Sequence, residues 1–555
     1  MDAHKYSPQY YLPPEPCFDW KWADRVTKAP IWCSVDLRDG NQALVIPMSL
    51  EKKLTFFQLL LEVGFREIEV GFPAASETEF SFLRTLIEKD LIPEGVCIQV
   101  LTQAREHIIK KTFEALQGVK GKVIVHVYNS VSVAQREQVY GKSKEEILAL
   151  AVEGARLVKE LCCQAAGEGC EFIYEYSPES FTGTEPDYAL KVCNAVVEAF
   201  DPDIAHPCII NLPVTVELSM PHVYASQVEY ISRHLQRRDS VILSLHPHND
   251  RGCAVADAEM GLLAGAQRVE GTLFGNGERT GNVDLVTLAL NLYSQGVDPG
   301  LDFSRLAHVR EVYESCTGMQ VPERSPYSGS LVFTAFSGGH QDAIAKGFHY
   351  REEKKAEHWS VPYLPLDPED LGICYDNEII RINSQSGKGG VGFVLEHVYG
   401  LDLPPLFREA MGYAAKAVSD HLHKELSPRE LLTVFENTFE KSRYPYSIQE
   451  TRFSEEEGQI LVEATATYLG KVSIIRGKGN GRVDAVSNAL RQAYGLSYTM
   501  ETYKSHALGK NTSAPTMAYV GIRGKDGSMS WGAGTSTDVL KASVDALVSA
   551  INNRT

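Results

Sequence analysis

Two histidines flank a proline at His246-Pro247-His248, followed by Asn249 and Asp250. Residues two apart on a strand share a face, so both imidazoles can reach one point. Two nitrogen donors with one or two oxygen donors suit a divalent cation such as Zn²⁺, Mn²⁺ or Mg²⁺. No thiolate accompanies them, which favours a catalytic over a structural metal. An isolated His-x-His usually just ends a strand with its rings hydrogen-bonded. Here two further clusters share the pattern: Asp36-Leu37-Arg38-Asp39-Gly40-Asn41-Gln42, and the glycine-rich GNGERTGN at 275–282, which ends in Asn282. The carboxylate donor is Asp36 or Asp39. Position alone favours Asp36, at the end of an apolar run, because Asp39 sits in an Asp-Gly turn pair whose side chain can hold its own backbone. Arg38 suits a substrate carboxylate or a polarised carbonyl.

Other residues could line the same mouth. Glu179, in Ser177-Pro178-Glu179-Ser180, is placed to act as an acid, a base or an orienter of metal-bound water. The segment NLPVTVE at 211–217 offers one hydroxyl, Thr215, among apolar side chains, which suits a small substrate with a carboxylate and a branched tail. His126 closes another apolar run, where a lone histidine is more often ordinary packing.

Elements of the right kind stand ready to position these clusters. Short runs rich in Val and Ile read as strands at 31–36, 67–71, 96–101, 123–127, 172–176, 208–212, 241–246 and 269–274. Amphipathic helical patterns lie between them, at 50–63, 144–161 and 187–199, and one follows the last at 283–293. Eight strand–helix units in about 265 residues match a (β/α)₈ barrel. The clusters then fall at the C-terminal ends of strands, where such barrels carry their chemistry. A doubly wound open sheet is the rival, but no glycine-rich turn follows the first strand.

Beyond residue 300 the pattern changes. A helix at 306–317 leads into a proline-rich stretch that carries His340, His349 and Tyr363, read as a linker subdomain of ordered loops up to about 399. Helices follow at 406–419 and 428–439. Strands return at 459–468 and 472–477 with a helix at 484–494, then at 496–506, 517–523 and 528–532 with a helix at 538–552. The junctions RGKGNGRVDAVSNAL and WGAGTSTDVLKASVDAL resemble each other, so the C-terminal α+β part reads as an internal repeat. The expected boundaries are an N-terminal extension at 1–29, a barrel at 30–300, linker subdomains at 301–445 and a C-terminal domain at 446–555.

Composition narrows the partners. Of the 555 residues 44% are hydrophobic and 23% charged, as in an ordinary globular protein. Asp and Glu outnumber Lys and Arg by 72 to 54, a net charge of −18, which argues against a nucleic-acid partner. No apolar run is long enough to span a membrane and no signal peptide is visible. The 11 cysteines are odd in number and scattered, and read as reduced thiols in a cytoplasmic protein.

Taken together, the motifs resemble the 2-isopropylmalate synthase family, among the Claisen-type condensing enzymes and related lyases. The matches are LRDGNQ at 37–42, SPESFTGTE at 177–185, NLPVTVE at 211–217, HPHNDRG at 246–252, FGNGERTGN at 274–282, FSGGHQDAI at 336–344 and NSQSGKGG at 383–390. The resemblance runs through the whole chain and points to the longer subfamily. It implies a metal held by Asp39, His246, His248 and Asn282, which sets Asp39 against the positional choice of Asp36. It implies Arg38, Glu179, His340 and Tyr363 as catalytic, the last two reaching a neighbouring subunit's barrel, and His126, Ser177 and Thr215 as the oxo-acid pocket. It further implies acetyl-CoA and 2-oxoisovalerate as substrates, Mg²⁺, Mn²⁺ or Zn²⁺ as cofactor with K⁺ as activator, a homodimer, and leucine as inhibitor through the C-terminal repeat. The nearest alternative is citramalate or homocitrate synthesis by the same chemistry; a second substrate carboxylate would need an added basic residue, and none is evident.

Overall fold

The computed structural model describes residues 1–165, 169–335, 337–373, 388–456, 458–509 and 514–554. They form two compact units, one of Met1–Val332 with Asp370–Gly372, the other of Phe333–Glu369 with Ile373–Thr555. The NSQSGKGG motif lies outside the described residues, apart from its last three positions. No helix among the described residues is long and apolar enough to cross a membrane.

In the first unit eight parallel strands close into a barrel in sequential order. They are β1 Ile31–Ser34, β2 Glu67–Gly71, β3 Cys97–Gln103, β4 Gly121–Ser130, β5 Cys170–Glu179, β6 Cys208–Val214, β7 Val241–Pro247 and β8 Arg268–Gly271. The circle closes where Ile31 pairs with Arg268 and Ser34 with Gly271. Helices α1 Leu50–Val63, α2 Glu77–Glu88, α3 Glu106–Ala115, α4 Lys144–Ala165, α5 Pro186–Phe200, α6 Pro221–His234, α7 Ala254–Leu263 and α8 Leu285–Ser294 alternate with the strands. The eight-unit barrel expected from the pattern is the observed one.

Local signals explain the edges of α1. The Ser49 hydroxyl accepts from the Lys52 N–H at its start, and Gly64 at φ 108° ends it by donating to Leu60. Its buried face is Phe56, Phe57, Leu59, Leu60 and Val63, at the spacing an amphipathic helix needs. Two strands stop earlier than the apolar runs suggest. After Ser34 the chain enters a π-helical turn, Asp36–Gly40, and after Gly271 a 3₁₀ turn, Leu273–Gly275. Both turns serve the barrel mouth.

The second unit begins with a helix where loops were expected. α9 (Leu306–Thr317) still belongs to the barrel unit, but α10 (Gly338–Lys354) runs for 17 residues through His340 and His349. Three glycines and many polar residues hide its helical period in the sequence. Gly347 has a packing reason: a Cβ there would meet Pro362 Cδ at 2.6 Å. α11 (Lys388–Tyr399), α12 (Pro405–Leu422) and α13 (Pro428–Phe435) follow.

The repeat is real and each copy has three strands; the second copy's three were expected, and the first has one more than the two expected. Copy one is β9 Tyr446–Glu456, β10 Gln459–Tyr468, β11 Lys471–Gly479 and α14 Arg482–Tyr494; copy two is β12 Tyr498–Ala507, β13 Thr516–Gly524, β14 Met529–Ser536 and α15 Val539–Asn552. The strand β9 escaped the sequence reading because most of its residues are polar and exposed. The paired glycines let each helix lie directly on its third strand. A Cβ at Gly477 or Gly479 would strike the backbone of α14 at 2.5 or 2.4 Å, and one at Gly532 or Gly534 would strike α15 at 2.2 or 2.3 Å. At the helix starts, Asp538 caps α15 by accepting from Leu540 and Lys541, while Asp484 accepts from Asn480. A core of Phe407, Phe435, Tyr519 and Trp531 joins α12 and α13 to the second sheet, with Phe407 stacked on Trp531 at 4.9 Å.

Candidate metal centre and oxo-acid pocket

At the C-terminal mouth of the barrel the π-helical turn decides which aspartate faces inward. Gly40 N–H bonds back to Val35 O, an i to i−5 link that widens the turn. Asp36 is thereby turned into the wall, where it accepts from the Ser34 hydroxyl at 2.8 Å and from Leu273 N–H at 3.1 Å. Burial pushes its carboxyl up to about 7. Asp39, one turn on, comes to the histidines: its Oδ2 is 3.4 Å from His246 Nε2 and 3.7 Å from His248 Nε2. The positional preference for Asp36 therefore fails on geometry, because a strand was assumed where the backbone coils.

Asp39, His246 and His248 are all buried and converge within 4.8 Å as a potential cation site. Asn282 is brought to the same place by pairing between the loops after β7 and β8. His248 and Asn282 form a β-bridge, and Val283 N–H donates to Pro247 O. Asn282 Nδ2 donates to Asn276 O at 2.9 Å. The glycines of this loop are needed: a Cβ at Gly281, with φ 92°, would sit 1.8 Å from Gly275 O. Three buried polar atoms here have no hydrogen-bond partner: Asp39 Oδ2, His248 Nδ1 and Asn282 Oδ1. Buried polar atoms are rarely left so, and a carboxylate oxygen and an amide oxygen beside two imidazoles are the donor set a divalent cation takes. The residues fit such an ion.

Electrostatics follow from this packing. Burial would raise the Asp39 carboxyl, but Arg38 and the two imidazoles hold it well below the usual carboxylate range. Burial alone would lower His246; its bonds to Asp39 and Glu270 outweigh that and hold it at about 9. His248 lacks such support, and burial with the neighbouring His246 pushes it down to about 4.

Beside this cluster lies a cavity of about 210 Å³, lined among others by Arg38, His126, Tyr128, Ser177, Glu179, Thr215, Glu278 and Arg279. Arg38 donates to Asp39 at 2.8 Å and to Glu69. His126 is only 3% exposed and bridges Ser177 Oγ at 2.7 Å and Glu69 at 3.0 Å. Ser130 donates to Glu179 at 2.6 Å, and Ser180 N–H donates to the Thr215 hydroxyl at 2.8 Å. Ser180 has φ 60°, and Phe274 and Arg279 in the glycine-rich loop also have positive φ. Non-glycine residues held this way are strained and gather at functional sites.

His340 and Tyr363 lie in the second unit. Their rings stack at 3.9 Å, both exposed, with Tyr363 turned back at φ 65°. The loops that the sequence suggested there are instead a helix and a tight return.

Sequence reasoning missed the interior of the barrel. Glu69, Gln99, Glu175, Arg268 and Glu270 are completely buried. Arg268 reaches Gln99 on β3 at 2.6 Å and Glu175 on β5 at 3.5 Å. Links between strands so far apart in order mean that these side chains fill the barrel itself. The available signal was charge at alternate positions inside otherwise apolar strands, Glu67-Ile68-Glu69-Val70 and Arg268-Val269-Glu270.

A separate carboxyl pair gives a pH test. Asp257 on α7 is 1% exposed and faces Glu217 after β6. Burial first, then the Glu217 charge and hydrogen bond, raise Asp257 to about 8. The neutral form is thus favoured by folding, so its stabilisation is present below about pH 4 and is lost as pH rises through about 8. Asp257→Asn keeps the shape without the charge. Its melting temperature relative to the unaltered protein is expected to climb by several degrees between pH 5 and pH 9. Melts of both proteins across that range check this; a gap independent of pH would contradict it.

Three family profiles match consecutive parts of the chain: HMGL-like at residues 29–312, the post-catalytic domain of alpha-isopropylmalate synthase at 330–396, and the LeuA allosteric (dimerisation) domain at 425–555. Proteins named 2-isopropylmalate synthase are similar from end to end. That of Helicobacter hepaticus is 58% identical, covering all of both chains. That of Desulfitobacterium hafniense is 57% identical over 99% of this chain and 98% of its own. That of Clostridium acetobutylicum is 52% identical over 96% of each.

Proposed function

Because the chain belongs to the 2-isopropylmalate synthase family, we propose that its barrel condenses acetyl-CoA with 2-oxoisovalerate and hydrolyses the thioester to give 2-isopropylmalate and CoA, the first committed step toward leucine. The observation that carries this reading is the 58% identity over the entire length to a protein of that name. It makes the protein an acyltransferase. Citramalate or homocitrate synthesis is not favoured, since relatives at 46–58% identity share the one name.

Asp39, His246, His248 and Asn282 would hold a divalent cation, Mg²⁺, Mn²⁺ or Zn²⁺, and the unpartnered Asp39 Oδ2 and Asn282 Oδ1 support this assignment. Such an ion would supply Lewis acidity toward the oxo acid. The rest is asked of the chain. Thr215, Ser177 and His126 hold the oxo acid, with hydroxyls for its polar end. The enolate of acetyl-CoA attacks the ketone carbon, and the Arg38 guanidinium takes up the alkoxide charge that develops. Arg38 is pre-aimed for this by its bonds to Asp39 and Glu69, which remove most of its freedom. Glu179, His340 and Tyr363 are the proposed proton-moving groups, within reach of the reaction if the last two serve a partner subunit's barrel.

The match of residues 425–555 to an allosteric, dimerisation domain supports regulatory binding and a dimer. We assign leucine as the effector, and the cytoplasm as the setting, in keeping with ten described cysteines that are all unbridged. The test is release of free CoA thiol by the full chain with Mg²⁺, Mn²⁺ or Zn²⁺ across a panel of 2-oxo acids, with and without leucine. Turnover should be highest with 2-oxoisovalerate and should fall with leucine in a way that excess 2-oxoisovalerate does not relieve. Preference for pyruvate or 2-oxoglutarate would overturn the substrate assignment, and indifference to leucine the regulatory one.

A further inference from the structure

Glu270 has no chemistry to do in the reaction proposed above, yet it is the most heavily bonded carboxylate in the barrel. It is completely buried on β8. Its Oε1 accepts from Gln99 Nε2 at 2.7 Å and from Arg268 at 2.9 Å. Its Oε2 accepts from Asn211 Nδ2 at 3.1 Å and stands 2.7 Å from His246 Nδ1. Gln99, Arg268 and Asn211 can only donate here, and the buried Glu175 carboxyl, held well above the usual carboxylate range chiefly by burial, also lies within hydrogen-bond reach. An ionised Glu270 accepts from all of these and leaves His246 Nδ1 to donate.

From this arrangement we infer that Glu270 is a positioning residue for the metal centre, fixing both the ring orientation and the tautomer of His246. With Nδ1–H donating to Glu270, Nε2 is the nitrogen left for a cation, which would displace the proton it shares with Asp39 Oδ2 at 3.4 Å. Without that acceptor the proton has no preferred nitrogen, and a proton on Nε2 would block ligation. The same carboxylate links the metal centre to the substrate pocket. Asn211 Nδ2 also donates to Ser177 Oγ at 3.0 Å, and Ser177 in turn meets His126. Glu270 thus holds a ligand on one side and, through Asn211, a pocket hydroxyl on the other. Arg268 supplies the opposing charge that makes an ionised carboxylate tolerable inside the barrel, and it is held in turn by Ser244 Oγ at 2.9 Å.

A glutamine at 270 cannot reproduce this. It carries one acceptor oxygen and one NH₂ group, while Gln99, Arg268 and Asn211 can only donate. If the NH₂ faces His246, the ring must present Nδ1 as acceptor and carry its proton on Nε2, the wrong tautomer. If it faces Arg268 and Gln99, two buried donors oppose it.

The inference rests on the metal reading, so the experiment separates the two. The affinity of the full-length, metal-stripped protein for Zn²⁺ alone is measured by competition with a chromophoric chelator, alongside circular dichroism. Glu270→Gln should bind Zn²⁺ about 10- to 100-fold more weakly than the unaltered protein. Its turnover should recover in part at high metal concentration, which a purely structural defect would not allow. Ser244→Ala, which takes a bond from Arg268 without touching Glu270, should keep its Zn²⁺ affinity. Failure of the unaltered protein to bind Zn²⁺ would remove the metal reading itself. Tight binding by the unaltered protein with equal binding by Glu270→Gln would overturn the positioning role alone. Should the glutamine variant not fold, Glu270→Asp decides: it keeps the charge for Arg268 but cannot reach His246 as well, so it should show the same loss, and unchanged affinity overturns the role.

Discussion

His248→Ala should lower turnover by about 10³-fold or more while the barrel stays folded. The size follows from what the side chain is proposed to do. A Lewis-acid ion contributes several kcal/mol to stabilising the developing charge, and each 1.4 kcal/mol is a factor of ten in rate. The survival of the fold follows from what the side chain does not do. His248 Nδ1 has no hydrogen-bond partner, and its neutral state, set by a pKa near 4, means that no buried ion pair is broken. The backbone links that shape the loop, such as His248 N–H to Val214 O, do not depend on the ring. Thiol release, bound metal and a melting curve are measured together. Loss of metal and turnover with melting within a few degrees is the expected pattern. Full turnover by metal-stripped His248→Ala protein would rule the centre out.

Mixing two dead variants should restore about a quarter of full activity. His340→Ala is expected to lose roughly 10²–10⁴-fold, the usual range for a proton-transfer group, and His246→Ala loses the metal. If His340 and Tyr363 serve a partner subunit's barrel, a hybrid dimer has one barrel with its own metal ligands and an intact His340 from the other chain. Random pairing makes half the dimers hybrid, each with one working site of two, hence about a quarter. Differently tagged subunits report exchange independently. Exchange without recovery would mean that each chain serves itself. The stacked ring of Tyr363 predicts that Tyr363→Phe retains the His340 geometry but not the hydroxyl, so it belongs in the same mixing series.

Much of the site was legible because short motifs carry their chemistry in residue type. His246, His248 and Asn282 could be singled out from spacing and from the ends of apolar runs. The choice between Asp36 and Asp39 could not be made that way. It turns on a π-helical turn, and nothing in Asp-Leu-Arg-Asp-Gly distinguishes that turn from a strand that continues two residues longer. His340 was recognisable from the family motif around it, but its helix was not. Gly338, Gly339 and Gly347 argue against a helix locally, and only packing against Val361 and Pro362 explains the last of them. The glycines of the C-terminal repeat marked the repeat in the sequence, and the structure shows that they let each copy's own helix lie close on its third strand.

What the sequence determined by itself about this protein is the order of its elements and the inventory of its reactive groups. Eight alternations of Val- and Ile-rich runs with amphipathic segments admit few closed solutions, and the family motifs leave one. The tertiary structure alone decided which groups meet. Glu69, Gln99, Glu175, Arg268 and Glu270 sit on four different strands, up to 201 residues apart, counted from Glu69 to Glu270. Closing the sheet turns alternate side chains of every strand into one dry interior. There each charge must find an opposite or a donor, because desolvation makes an unpaired one too costly. That requirement acts on neighbours in space, so no window along the chain can express it.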